Sequence, residues 1–148
     1  MIKQVMVFGT FDTFHPGHEY FLKHAKKYGD FLIVVIARDR TVKTVKGRLP
    51  KNNEIKRKKR VEESGVPDKV ILGQLKNKFN LIKKLKPDVI CLGYDQKYLT
   101  DKLESKLKEF HLKTKVIRLK SFKPHKYKSS LLKISELKAQ SLKPKLKT

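Results

Sequence analysis

Short apolar runs alternate along this chain with stretches in which apolar residues recur at helical spacing. Val5-Met6-Val7-Phe8 is an apolar run that stops at Gly9, and a run of that length closed by a glycine reads as a buried strand. Residues 17–28 then place Phe21, Leu22, Ala25 and Tyr28 on one helical face, ahead of a stop at Gly29-Asp30. Phe31–Ile36 is β-branched and wholly apolar, a second buried strand, and residues 54–64 read as a very polar helix. Lys69–Leu72, bounded by Pro67 and Gly73, is a third strand. Residues 77–86 carry Phe79, Ile82 and Leu85 on one helix face, and Pro87-Asp88 ends that helix. Val89–Leu92 is a fourth strand. Leu99, Leu103, Leu107 and Phe110 mark another helix face, and residues 116–119 form a fifth strand. A last helix is expected to start at Ser129 or Ser130, since serine is a good N-cap, and to carry Leu131, Ile134 or Ser135, and Leu137. The stretch 120–128 is the least regular part before the tail.

Strands and helices alternating in this way predict an α/β fold, a Rossmann-like five-stranded parallel sheet with helices on both faces. Ligands in such folds sit beyond the carboxyl ends of the strands. The chain of 148 residues suits one domain with one core. That domain is expected over residues 1–137, and the Lys-rich segment 138–148 is expected to be a flexible tail.

Charge changes the picture. Lys and Arg number 37 against 14 Asp and Glu, a formal net charge of +23. Such a surface suits either nonspecific phosphate contacts with nucleic acid or a site for anionic small molecules. The second is favoured, because the lysines are spread along the chain without an RNA-binding motif. The basic run 56–60 reads as a solvated helix face rather than a targeting patch. Residues 1–8 lack the shape of a signal peptide, and no apolar stretch nears the roughly 20 residues a membrane span needs. A cytoplasmic protein without a membrane partner is the expectation. Cys91 is the lone cysteine, so it can form no internal disulfide or cysteine-based zinc site, and its place in an apolar strand makes it a core residue.

The candidate chemistry lies at the turn from the first strand into the first helix, in Gly9-Thr10-Phe11-Asp12-Thr13-Phe14-His15-Pro16-Gly17-His18. A helix start offers N–H groups and the positive end of a dipole to a phosphate. Gly9 is expected to permit a tight turn, and Gly17 to let a ligand approach the backbone. Two imidazoles three residues apart share a helix face and can donate to phosphoryl oxygens as charge builds. A metal site is the competing use of such a pair, but His24, His111 and His125 have no ligand spacing to it. A packed structural pair is the other. The phosphate reading is preferred, and no protein metal site is expected.

GTFDTFHPGH resembles the HxGH signature of the nucleotidylyltransferase superfamily. Over roughly residues 4–135 the chain resembles its small cytidylyltransferase-like members. The resemblance implies nucleotide contacts from Gly9, Thr10, Phe11, His15, Gly17 and His18. It implies phosphate-binding lysines in the segment after the second strand, Lys43 and Lys46 with Arg48, in what reads as a mobile basic loop. A solvated loop explains any single lysine there equally well. It further implies a nucleotide-contacting Arg57, with Arg60 the alternative, and a nucleotide-facing loop of Gly93 and Asp95 after the fourth strand. For Asp95, capping of the next helix is the bland alternative. Tyr127-Lys128-Ser129-Ser130 is similar to the family's phosphate-holding element at the last helix start, although Tyr127 and Lys128 replace its usual first residues. Ser129 or Ser130 could also serve simply as an N-cap.

The implied reaction is in-line attack of an acceptor's phosphate oxygen on the α-phosphorus of a nucleoside triphosphate, with release of pyrophosphate. His15 and His18 would stabilise the transferring phosphate; Lys43, Lys46 and Arg57 would neutralise the triphosphate. Mg²⁺ would be carried mainly by the nucleotide, with Asp12 an outer partner of metal or backbone. Residues 35–39, 46–48 and 92–96, and Pro16, most resemble archaeal FAD synthases. That ranks ATP plus FMN first and CTP plus glycerol 3-phosphate second. By the same resemblance a homodimer is expected. A basic RNA-binding protein reusing the fold is the alternative of another class, and the intact HPGH run argues against it.

Overall fold

The computed structural model describes residues 2–75, 79–93 and 97–119, with 97–101 described by backbone alone. Its strands are β1 (Gln4–Gly9), β2 (Phe31–Ile36), β3 (Lys69–Leu72), β4 (Val89–Leu92) and β5 (Lys115–Arg118). Its helices are α1 (Pro16–Lys26), α2 (Asp39–Lys46), α3 (Glu54–Glu63), α4 (Asn80–Leu85) and α5 (Lys97–Glu109). The fifth strand starts one residue earlier than the apolar pattern predicts, and Leu119 is buried just beyond it. Lys86 takes a left-handed conformation at φ 47° and ends α4 ahead of Pro87, which fits the bias against helix immediately before proline.

All strand pairs are parallel, in the order β3-β2-β1-β4-β5. The alternation of side chains along β1 divides the core between the two sheet faces. Val5 and Val7 pack with Leu22 and Ala25 of α1, Val61 of α3, and Leu32, Val34 and Cys91. Met6 points the other way, to Leu81 and Ile82 of α4 and Leu103 and Leu107 of α5. Helices therefore cover both faces, as the sequence predicts. Burial pushes the Cys91 thiol up to about 12, so it stays a protonated core group.

Three aspartates, each one residue before a strand, pin the lower end of the sheet. The Asp30 carboxylate accepts the Lys3 N–H at 2.9 Å, Asp68 accepts that of Leu32 at 2.8 Å, and Asp88 accepts that of Gln4 at 2.7 Å. Each gives an N–H near the ladder's end a carboxylate acceptor. With this end closed, the opposite end carries the loops, and the strand order reverses between β1 and β4 at the point where such folds bind ligands.

Candidate active site

The loop from β1 to α1 is shaped by one ring. Phe11 takes a left-handed backbone conformation at φ 52°, an uncommon one for a bulky residue. Its ring folds back over the end of β1 and is buried. A Cβ on Gly9 would lie 2.5 Å from Phe11 Cε2, so Gly9 is needed to make room for that ring rather than for a tight turn. The Phe11 ring meets His18 edge-on with centroids 5.1 Å apart, and Phe14 lies 5.7 Å from His18. His15 stacks on His18 with centroids 3.8 Å apart at 21°.

The two histidines also form the start of α1. His15 is its N-cap, and the His15 Nδ1 accepts the Gly17 N–H at 3.0 Å. Reciprocally, His18 Nδ1 accepts the His15 N–H at 3.3 Å, an imidazole version of the capping box. Pro16 occupies the first helical position, where its missing N–H costs nothing. The N–H groups of His18 and Glu19 donate to the His15 carbonyl. The helix start is thus not the nest of unpaired N–H groups that the sequence suggests. Its first donors are used internally, and two stacked imidazoles, each with Nδ1 taken by a backbone N–H, form its surface. Since each Nδ1 accepts an N–H, each neutral ring carries its proton on Nε2.

Asp12 serves backbone, one of its two expected uses. Its carboxylate accepts the N–H groups of Lys51 at 2.8 Å and Asn52 at 2.9 Å, and the Asn52 side chain donates back to Asp12. Burial works to raise the Asp12 pKa, but those hydrogen bonds and the charge of Arg57 outweigh it and hold the carboxyl below 3.8. The segment before α3 is thereby fastened to the loop after β1.

Arg57 is placed differently from the expectation of a side chain reaching into the triphosphate. It is 0% exposed. Its guanidinium donates to the Asn52 carbonyl at 2.9 Å, the Thr10 carbonyl at 2.9 Å and the Asp39 carboxylate at 2.7 Å. Beside it, Glu54 accepts the Asp39 N–H at 2.8 Å and pairs with Arg38 at 2.9 Å, and Arg38 also donates to the Gly73 carbonyl. Asp39, Asn52 and Glu54 belong to this constellation, and sequence reasoning missed them. Asn52-Asn53 ahead of a helical run was the available signal, and Asn53 is indeed the N-cap of α3.

The basic segment after β2 is not the loop that was expected. Lys43 and Lys46 lie in the last turn of α2, and Gly47 closes the helix in a left-handed conformation at φ 80°. Both lysines and Arg48 are exposed. No local side chain caps α2, whose start is held instead by Glu54 from α3. Gly93 follows β4, and its carbonyl accepts from Arg118 at 2.9 Å. Asp95, Ser129 and Ser130, with the expected last helix, lie outside the described residues. Among the described residues no group of three His, Cys, Asp or Glu stands ready to hold a metal ion, and no helix is long and apolar enough to cross a membrane.

Residues 6–134 match the family model described as Cytidylyltransferase-like. A FAD synthase of Pyrococcus horikoshii is 44% identical over 135 residues, covering 90% of this chain and 88% of the relative. A FAD synthase of Aciduliprofundum boonei is 41% identical over 119 residues, 80% of this chain and 79% of the relative. Among solved structures, a lipopolysaccharide core biosynthesis protein from Thermoplasma volcanium superimposes with a TM-score of 0.78 at 37% identity, covering 83% of this chain and 100% of that one. Pantoate-β-alanine ligase from Francisella tularensis has a TM-score of 0.61 at 17% identity, covers 82% of this chain and 60% of that one, and shares the fold.

Proposed function

The chain belongs to the cytidylyltransferase-like family, and from that premise we propose that it is an FMN adenylyltransferase, joining ATP and FMN to give FAD and pyrophosphate. The observation that carries this reading is the pair of stacked imidazoles held by the capping box at the end of β1, in a chain with FAD synthases among its relatives.

A phosphate oxygen of FMN attacks the α-phosphorus of ATP in line. The new bond joins that oxygen to the α-phosphorus, and the bond from the α-phosphorus to the bridging β-oxygen breaks. Pyrophosphate carries the electron pair away, and the enzyme forms no covalent intermediate. His15 and His18 donate from Nε2 to the α-phosphate oxygens, where negative charge grows as the bonds exchange. Donors already fixed in place cost nothing to reorganise at that moment. Lys43, Lys46 and Arg48 neutralise the triphosphate and the leaving pyrophosphate from the end of α2. Mg²⁺ carried by the nucleotide would supply further neutralisation of the triphosphate. Asp12 and Asp39 are already engaged with Lys51, Asn52 and Arg57, which supports a nucleotide-borne ion. Asp95, Ser129 and Ser130 complete the nucleotide site in this reading. The working form is a cytoplasmic homodimer.

A pyrophosphate-release screen tests the assignment, pairing ATP and CTP with FMN, glycerol 3-phosphate, phosphocholine and phosphoethanolamine. Release with ATP and FMN, accompanied by FAD in the products, is expected. Release with CTP and glycerol 3-phosphate alone would reassign the acceptor. Silence across all pairs, together with salt-sensitive RNA binding that survives loss of both histidines, would favour a nucleic-acid role.

A further inference from the structure

The buried guanidinium of Arg57 lies within a continuous chain of contacts that leads to His18. It begins at the Asp39 carboxylate, 2.7 Å from Nη2 and one-third exposed at the first residue of α2. Nη1 holds the Thr10 carbonyl at 2.9 Å. Thr10 is followed by Phe11, whose φ of 52° turns its ring back over Gly9 and edge-on against His18. Nε holds the Asn52 carbonyl at 2.9 Å, and Asn52 is itself fastened to Asp12, the residue after Phe11. Arg57 therefore grips the carbonyl preceding Phe11 and, through Asn52, the residue following it. A left-handed Phe costs energy and persists where its surroundings over-determine it. Here a planar fork fixed in three directions does so.

We propose that Arg57 is a positioning residue, acting through Thr10 and Phe11 to set the His18 ring, and that Asp39 aims its guanidinium. This departs from the nucleotide-contacting arginine that the sequence resemblance implies. A side chain that is 0% exposed and bound to three protein oxygens reaches phosphate only by giving up those bonds. The two roles make opposite demands on chemistry. A triphosphate contact needs a positive charge, which lysine also supplies. A three-way grip needs the fork, which lysine lacks.

The test uses Arg57→Lys, Arg57→Gln and Asp39→Asn in the full chain, with two kinds of readout. The first is kcat and KM for ATP with FMN, together with affinity for a non-hydrolysable ATP analogue; this arm rests on the adenylyl-transfer reading above. The second is the ring nitrogen and proton signals of His15 and His18 by NMR in the protein without substrate, which needs no activity. Positioning predicts that both Arg57 variants lower kcat by about 100-fold, the scale expected when a reacting group is misplaced by about 1 Å. KM and analogue affinity should change by less than about threefold, since positioning of the transition-state donor need not alter ground-state binding. Asp39→Asn should repeat the effect in milder form, and the His18 signals should shift in every variant. Near-normal kcat in Arg57→Lys, a weakened analogue affinity in Arg57→Gln and unmoved His18 signals would overturn the proposal and restore the direct contact. If the Arg57 variants do not fold, Asp39→Asn carries the test, because it leaves the bonds to Thr10 and Asn52 in place. If the wild type makes no FAD, the adenylyl-transfer reading fails on that result alone, and unmoved or shifted ring signals still decide the role of Arg57.

Discussion

At the scale of single residues, the proposed mechanism gives His15 two jobs with two ring nitrogens. Its Nδ1 caps α1 through the Gly17 N–H, and its Nε2 is the edge assigned to the α-phosphate. Substitution can separate them. Asparagine is a preferred N-cap and carries a side-chain oxygen near the position of Nδ1. His15→Asn should therefore keep stability within about 0.5 kcal/mol of the parent while turnover falls by about 100-fold, the scale seen when one fixed donor to a developing oxyanion is lost. His15→Ala should lose as much turnover and in addition about 1 kcal/mol of stability, the usual value of a cap. Chemical denaturation read beside steady-state kinetics distinguishes the two variants. Equal turnover in His15→Asn and the wild type would remove His15 from the chemistry.

At the scale of elements, carboxylates join what the strands and helices leave apart. Asp12 fastens the segment before α3 to the loop after β1, and the sign of its pH effect follows from its lowered pKa. Burial opposes ionisation, and the Lys51 and Asn52 hydrogen bonds with the Arg57 charge overcome it, leaving the folded value below 3.8. Its stabilising contribution is present in full above the unfolded value of about 3.9 and is lost as pH falls through the lower folded value. The stability gap between wild type and Asp12→Asn should be constant from about pH 7 to pH 5 and should close as the carboxyl protonates below about pH 4. Urea titrations of both proteins across that range check it, and a gap that widens in acid would contradict the assignment. At the opposite end of the sheet, Asp88→Ala removes the acceptor of the Gln4 N–H and should cost about 1 kcal/mol, since that N–H regains water. These joints also mark what the sequence could reveal. The strands were legible because Phe31–Ile36 and Val89–Leu92 are apolar throughout and closed by turn residues. The histidine pair was legible because its motif is local. Helix α2 was missed because Thr41, Val42, Thr44 and Val45 are β-branched residues with weak helix propensity, and its start is held by Glu54 from 15 residues away. The placement of Arg57 was missed for the same reason: Thr10 and Asp39 come to it through the fold.

At the scale of the whole molecule, the sheet supplies position and the surface supplies field. The strand order brings the loop after β1 to the reversal point of the sheet, and the chain carries a formal net charge of +23. ATP and FMN are both anionic, so this field should concentrate them and speed their encounter without changing the bond-making step. Screening discriminates these two contributions. The Debye length shortens from about 10 Å at 0.1 M salt to about 3 Å at 1 M, which removes long-range attraction but would spare the proposed short-range imidazole contacts. Raising potassium chloride from about 0.05 M to about 0.5 M should therefore raise KM for ATP several-fold while kcat changes by less than about twofold. A fall in kcat with constant KM would place the salt-sensitive interaction in the reacting complex instead. Short RNA included as a competitor probes the same field: inhibition that disappears at high salt, with kcat intact at saturating ATP, would mean that polyanions compete with ATP for the same basic surface.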